Sequence, residues 1–378
     1  MRFRNQSARA HVLLAALVVS APCVYADEAP KTAVPSLSDV LDASGVSVTG
    51  YMDASYASSP IAGGNELATA HGSDGESFAL NQASLTIAKQ PKSGWGGLVN
   101  VIGGQAVPIL DAAEGSPQTN FNVTQAFVQY ATGPMTIIAG KYVTLAGAEV
   151  IASPSDYAFS RSILFGYAIP YTHTGARLTY AVSDAFSVTV GANNGWNSQT
   201  YRHPTAELGA TYTPIKPLTI ILSAYVGNEP SAAATGSSQR QLLDAVVTWA
   251  ATSKLMIIVN YDWAKQKDGV ATGADASWNG VAAYAIFAVN DMWKVTLRGE
   301  YFNDKNGFAT SYVNPTTNVG GQKWKEGTLS LSYSPSKSAE LRLDLRDDTS
   351  DQDFFTETNS STPKSSQFSY GLEALYKF

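Results

Sequence analysis

Cysteine occurs once in the 378 residues, at Cys23, and charged residues make up only 15% of the chain. A soluble domain carries about 25% charged residues, so an ordinary water-facing surface is not provided for. Long apolar runs are also missing: beyond the N-terminus the longest extends only from Val281 to Val289, well short of the roughly 18 residues of a spanning helix. A helical membrane protein is excluded. Basic blocks are absent and the net charge is −6, which argues against nucleic acid. Disorder is excluded by an aromatic content of 11%. What the chain does hold is 31 Gly, 19 Tyr and 7 Trp, a composition of strands and turns.

Residues 1–26 read as an export signal, with Arg2, Arg4 and Arg9 before the apolar stretch Val12–Val19 and small residues before Asp27. Cys23 falls inside this segment, and Pro22 before it disfavours lipid attachment. Cleavage leaves a long exported chain without cysteine, which suits a Gram-negative outer membrane better than a disulfide-stapled extracellular setting. Residues 27–45 form a polar periplasmic leader with one candidate helical turn capped by Ser36.

From residue 46 to 378 the period is two. Leu341, Leu343 and Leu345 alternate with Arg342, Asp344 and Arg346, and Val295 and Leu297 alternate with Lys294, Thr296 and Arg298. Sixteen strands are expected, near 46–57, 77–90, 94–107, 121–131, 134–142, 172–182, 185–195, 204–214, 218–227, 239–252, 254–264, 277–290, 291–303, 324–334, 338–348 and 367–378. Short turns alternate with long loops between them, as in an outer-membrane barrel. Tyr130, Tyr180, Tyr212, Trp249, Phe287, Tyr333 and Tyr376 stand just before the short turns or the C-terminus, where an interfacial girdle belongs. The fold class is all-β: a transmembrane antiparallel up-and-down barrel of about 16 strands.

Gly50-Tyr-Met-Asp-Ala-Ser-Tyr56, Leu80-Asn-Gln-Ala-Ser-Leu85, Gln125-Ala-Phe-Val-Gln-Tyr130, Ala139-Gly-Lys-Tyr-Val143 with Gly147-Ala-Glu149, Ser160-Arg-Ser162, Pro170-Tyr-Thr-His-Thr-Gly175 and Asn194-Gly-Trp196 follow one another along the chain. In these pieces it resembles the OmpL-like family of β-barrel porins of proteobacterial outer membranes. The resemblance implies a barrel with pore activity and no catalytic residues. The terminal Phe378, with Tyr376 two before it, looks like the signal read by the outer-membrane insertion machinery.

Enzymatic chemistry has little to work with. His71 and His203 fall in external loops and His173 opens a strand, with Ser183 at that strand's other end. A membrane-embedded hydrolase would need serine, histidine and a carboxylate or amide in one register. No cofactor or metal is expected, and no His-x-x-x-His or phosphate loop occurs. Asp347, Asp348, Asp351 and Asp353 could gather a divalent ion or bridge lipopolysaccharide, but a solvated acidic loop suits the spacing better.

The third long loop, Thr144–Tyr171, carries Leu145, Val150, Ile151, Phe159, Ile163, Leu164 and Phe165. Such a segment must bury its surface, and folding into the lumen would do so; packing on top of the barrel is the alternative. Folded inward, it would cross from the fifth strand towards the thirteenth to fifteenth. Glu149, Asp156 and Arg161 on the loop would then face Arg298, Arg342 and Arg346 on the wall, forming a pore constriction. Lys294, Glu300, Asp344, Arg177 and Glu207 would line the rest. The plainer alternative pairs the loop carboxylates with Arg161 and the wall arginines with Glu300 and Asp344. The function expected is passive diffusion of small hydrophilic solutes, with a structural or adhesive barrel lacking an open pore as a further alternative and a homotrimer as a possible assembly.

Overall fold

The computed structural model describes residues 36–58, 77–200, 203–230, 236–313, 320–355 and 362–378. The export segment and His71 lie outside the described residues. The chain divides into two units, Met1–Val40 and Leu41–Phe378. Helix α1 (Leu37–Ser44) begins at a reciprocal cap. The Ser36 hydroxyl accepts from the Asp39 amide at 3.2 Å, while the Ser36 amide donates to Asp39 Oδ2 at 2.9 Å. The Ser36 hydroxyl also donates to Asp39 Oδ2 at 2.7 Å, and this bond, with the one from the Ser36 amide, holds the Asp39 carboxyl below its usual value.

Sixteen strands close into one antiparallel barrel in which each pairs with its chain neighbours and the first pairs with the last. They are β1 (Ser47–Ser58), β2 (Ser77–Lys89), β3 (Gly94–Gly103), β4 (Phe121–Thr132), β5 (Met135–Val143), β6 (Thr172–Ser183), β7 (Phe186–Asn193) and β8 (Thr205–Ile215). The second half continues with β9 (Leu218–Pro230), β10 (Ser237–Ala250), β11 (Leu255–Gln266), β12 (Ala276–Ala288), β13 (Trp293–Asp304), β14 (Gln322–Tyr333), β15 (Ala339–Ser350) and β16 (Ser366–Lys377). Every strand expected from the periodicity is present. The largest difference is at β3, which ends at Gly103 rather than 107. Gly104 turns away at φ 118°, and the chain enters a short helix, α2 (Val107–Ala113), with proline in its first turn.

The alternation has the opposite sense to that of a soluble sheet. On β15 the leucines 341, 343 and 345 are exposed, whereas Arg342, Asp344, Arg346 and Asp348 are fully buried. The apolar face therefore points out and the charged face points into the closed ring, the arrangement a lipid surround demands. Near the short turns the girdle is built as cross-strand pairs: Trp95 meets Tyr130 at 5.0 Å between ring centroids, Trp293 meets Tyr333 at 4.6 Å and Phe186 meets Tyr212 at 6.1 Å. The β4–β5 turn is tight enough to require a positive φ, met by Gly133 at 53°.

The register shifts at four places, two of them beside the short turns after β6 and β8, at Ala181/Ser183 and Tyr212/Ile215. The register between β1 and β2 shifts at Asp53/Ala54, so Asn81 and Gln82, neighbours in sequence, are both buried. A second shift lies between β3 and β4 at Asn100/Val101. At the seam the Gly50 amide donates to the Phe378 carbonyl and the Phe378 amide to the Gly50 carbonyl, each at 2.9 Å. The Phe378 ring lies over Gly50, where a Cβ would come within 2.5 Å of it.

Because Leu343 faces lipid near mid-strand, Leu343→Arg should lower folding stability by about 2–4 kcal/mol. Asp344→Asn on the opposite face keeps an acceptor and should change it little. Urea titration of the folded barrel in detergent measures both, and equal effects would contradict the register.

Candidate functional site

The segment between β5 and β6 is bonded to strands on both sides of the ring. At its root, Tyr225 on β9 accepts from the Leu145 amide at 2.9 Å and donates to Glu207 at 2.9 Å. Glu207 pairs with Arg177 at 2.5 Å. Further along, Gln82 on β2 donates to the Ile151 carbonyl at 2.9 Å, and Asn260 on β11 accepts from the Ala148 amide at 3.1 Å. A short 3-10 turn (Ser153–Ser155) and a π-helical turn (Leu164–Ala168) shape the segment.

The charged residues expected at a constriction are brought together in one buried network. Arg298 Nη1 lies 2.8 Å from Glu149 Oε1 and donates to the Ser160 carbonyl at 2.6 Å. The same guanidinium reaches Glu326 at 3.2 Å and Glu300 at 3.3 Å. Arg342 pairs with Glu340 at 2.9 Å and Glu373 at 3.2 Å, and donates to the Ser153 carbonyl at 3.1 Å. Arg346 pairs with Asp348 at 2.8 Å and donates to the Arg161 carbonyl at 2.5 Å. Asp344 accepts from the Ser160 amide at 2.8 Å, and Glu300 accepts from the Ile163 and Leu164 amides at 3.0 and 3.2 Å.

Within the loop Asp156 pairs with Arg161, whose other nitrogen donates to the Ile151 carbonyl at 2.8 Å. Burial pushes the Arg161 guanidinium down from the ordinary arginine value, and Glu149 opposes that shift. Glu149 and Arg298 are thus in contact, with no gap between them, while Asp156 finds its partner on the loop itself. Lys294 joins the network at its edge, pairing at 3.3 Å with Glu340, the partner of Arg342, where it is partly exposed.

The loop's apolar residues are buried as their composition requires. Ile151, Ile163, Leu164 and Phe165 join Tyr225, Trp278, Tyr284 and Phe302 of the wall in one cluster. Val150 is the exception, 40% exposed. Gly280 makes room for the loop, since a Cβ there would lie 2.4 Å from Leu164 Cδ2.

Several contributors were not singled out from the sequence. Glu326, Glu340 and Glu373 sit at inward positions of the two-residue period and could have been found by extending it. Gln82 could not, because the bulge reverses its face. Tyr284, which donates to Glu149 at 3.1 Å, reads as one more aromatic in an apolar strand. The acidic cluster expected in the last loop is not one. β15 runs on to Ser350, which places Asp347 outward and Asp348 inward against Arg346. No group of metal-ligating side chains gathers among the described residues. His173 is buried, with Nδ1 3.2 Å from the Gly195 carbonyl and its ring stacked on Tyr225.

A closed, even-stranded barrel with an apolar exterior and a charged interior defines an outer-membrane protein of the porin class, in the envelope of a Gram-negative bacterium. The chain belongs to the family described as "Putative beta-barrel porin-2, OmpL-like", whose model matches residues 45–378. No curated protein matches the sequence. Solved structures share the fold at low identity. The anion-selective porin from Comamonas acidovorans is 13% identical with a TM-score of 0.61, covering 88% of this chain and 99% of that one. Pseudomonas putida OprB is 13% identical at a TM-score of 0.61, covering 90% and 96%. The trimer form of OmpT, an outer membrane protein of Vibrio cholerae, is 13% identical at 0.60, covering 88% and 99%.

Arg298 is shared by several buried carboxylates, so Arg298→Met strands them and should destabilise the barrel by about 3–5 kcal/mol. Lys265→Met, which breaks a pair with Asp275 at 2.6 Å on the exposed surface, should leave stability unchanged. The temperature at which each folded band is lost on a heat-modifiability gel separates the two.

Proposed function

We propose that this porin is a passive channel for small hydrophilic solutes, with the Thr144–Tyr171 loop lying in the lumen and setting its narrowest part. The observation that carries the reading is the bonding of one loop to strands far apart round the ring: Gln82 on β2, Asn260 on β11, Arg298 on β13 and Arg342 on β15. Glu149, Asp156, Arg161, Arg298, Arg342 and Arg346 form the constriction; Arg177, Glu207, Lys294, Glu300 and Asp344 line the wall beside it. A ring of sixteen strands is wide enough for an aqueous lumen, and charges along it act on a solute at short range.

The chain reaches the outer membrane after losing residues 1–26, keeps 27–45 as a periplasmic leader and inserts 46–378 through machinery that reads Phe378. Its outer face meets lipid and lipopolysaccharide, and three copies associate, as the trimer form of Vibrio cholerae OmpT does. It has no enzymatic activity in this reading. One observation favours a second reading, a barrel closed by its own loop: Leu164 and Phe165 join Trp278, Tyr284 and Phe302 in a buried apolar cluster.

Planar-bilayer recording tests both. The wild-type barrel should conduct, and the double variant Arg298→Ser, Arg342→Ser, which releases the loop at Glu149, Ser160 and Ser153, should raise single-channel conductance and shift selectivity towards cations. Unchanged conductance in the variant would refute the constriction. A silent wild-type barrel would leave the closed form standing.

A further inference from the structure

Lys141 on β5 is held between a carboxylate and a carboxamide. Its Nζ lies 2.6 Å from Glu114 Oε1 and donates to Oδ1 of Asn122 on β4 at 3.3 Å. Asn122 is fixed in turn. Its Nδ2 donates to Asp111 Oδ1 at 2.8 Å and to Glu114 Oε2 at 3.2 Å, which keeps the amide turned towards the amine. Glu114 caps the end of helix α2, and its carboxylate also accepts from Thr172 Oγ1 and Gln199 Nε2, each at 2.8 Å. One carboxylate thus touches the lysine amine with one oxygen and the asparagine amide nitrogen with the other.

The group is closed off from bulk water. The Lys141 side chain is 11% exposed and that of Glu114 1%, and Asn122 and Asp111 are buried. Ile102, opposite Asn122 in the pairing of β3 with β4, and Val107 and Leu110 on α2 are fully buried as well. A buried ion pair is a weak source of stability, and ion pairing gives no reason for an amide pinned against the amine.

We propose that Lys141 and Asn122 join in an intramolecular isopeptide bond, formed without an enzyme once the barrel has folded. Lys141 Nζ passes a proton to Glu114 Oε1 and, as the free amine, attacks Asn122 Cγ, one bond beyond the oxygen it already touches. The Nζ–Cγ bond forms and the Cγ–Nδ2 bond breaks. Glu114 hands its proton to the departing Nδ2, then takes the second proton that Nζ loses. The nitrogen leaves as ammonia and carries that proton away as ammonium, so nothing is oxidised or reduced. A carboxylate within reach of both nitrogens supplies the general base and the general acid. Fixed geometry replaces a chance encounter, and exclusion of water protects the amide from hydrolysis. The link ties β4 to β5 just before β5 ends at Val143, where the Thr144–Tyr171 loop departs.

The test is a peptide map of the folded barrel, purified from outer membranes and denatured only before digestion. Chymotrypsin cuts after Phe121, Phe127, Tyr130 and Tyr142, which puts Asn122 and Lys141 in separate peptides. From the wild type, Asn122–Phe127 and Ala131–Tyr142 should emerge as one branched species, lighter than their sum by one ammonia. Fragmentation should place the join between Asn122 and Lys141. Lys141→Arg keeps a cation beside Glu114 but has no attacking amine, and Glu114→Gln keeps hydrogen bonds but cannot move protons. In both variants the branched species should be lost. If a variant does not assemble, the wild-type map decides alone. Two separate peptides from the folded wild type, with Asn122 intact or hydrolysed, overturn the bond. A branched species that persists in Glu114→Gln overturns the part given to Glu114.

Discussion

A strand in hydrocarbon has no water with which to pair its amides and carbonyls, so each must find a partner on a neighbouring strand. Every feature of this molecule follows from meeting that condition at both ends of the chain. The sheet closes, β1 pairs with β16, and the terminal residue itself supplies the last two backbone bonds, to Gly50. Closure also sorts the side chains. With lipid outside, leucine and aromatic residues take the outer face, and every charge on a strand must go inward or to the rim.

The inward charges then dictate how the loop after β5 is held. Carboxylates and guanidiniums confined to one space solvate one another, and what they leave unsatisfied is met by backbone. Arg298 and Arg346 donate to loop carbonyls, while Asp344 and Glu300 accept from loop amides. The segment is fastened mainly through its main chain, so its path depends on the wall's charges more than on its own side-chain identities. Its apolar residues complete the attachment by filling the space left at glycines such as Gly280.

Much of this is legible in the sequence itself. Two-residue periodicity located every strand, because a wall one residue thick with two unlike faces writes itself directly into the sequence. The alternating turn lengths set the direction of each strand, and the apolar content of residues 144–171 showed that they must be covered. The pairing of the charges was less legible. The inward period places Arg298 on the wall, but Glu149 touching it rather than facing it across a gap depends on the exact path of the loop. Gln82 is hidden from the pattern because the extra residue Asn81, opposite the step from Asp53 to Ala54, breaks the period of β2 by one. The helix at Val107–Ala113 was hidden for a different reason: seven residues leave no measurable helical period. Asp347 and Asp348 lie inside the expected strand 338–348, and only their closeness in sequence to Asp351 and Asp353 makes the four look like one acidic cluster.

Ser153 lies near the middle of the loop and is bonded from two directions. Its amide donates to Gln82 on the second strand at 3.4 Å, and its carbonyl accepts from Arg342 on the fifteenth at 3.1 Å. Those two strands lie at opposite ends of the chain, each next to a strand of the seam. Ring closure between remote ends is the slow step in a topology dominated by distant contacts. Here one loop residue is bonded to strands on both sides of the seam, so the two margins of the sheet are tied together across the ring as well as along it.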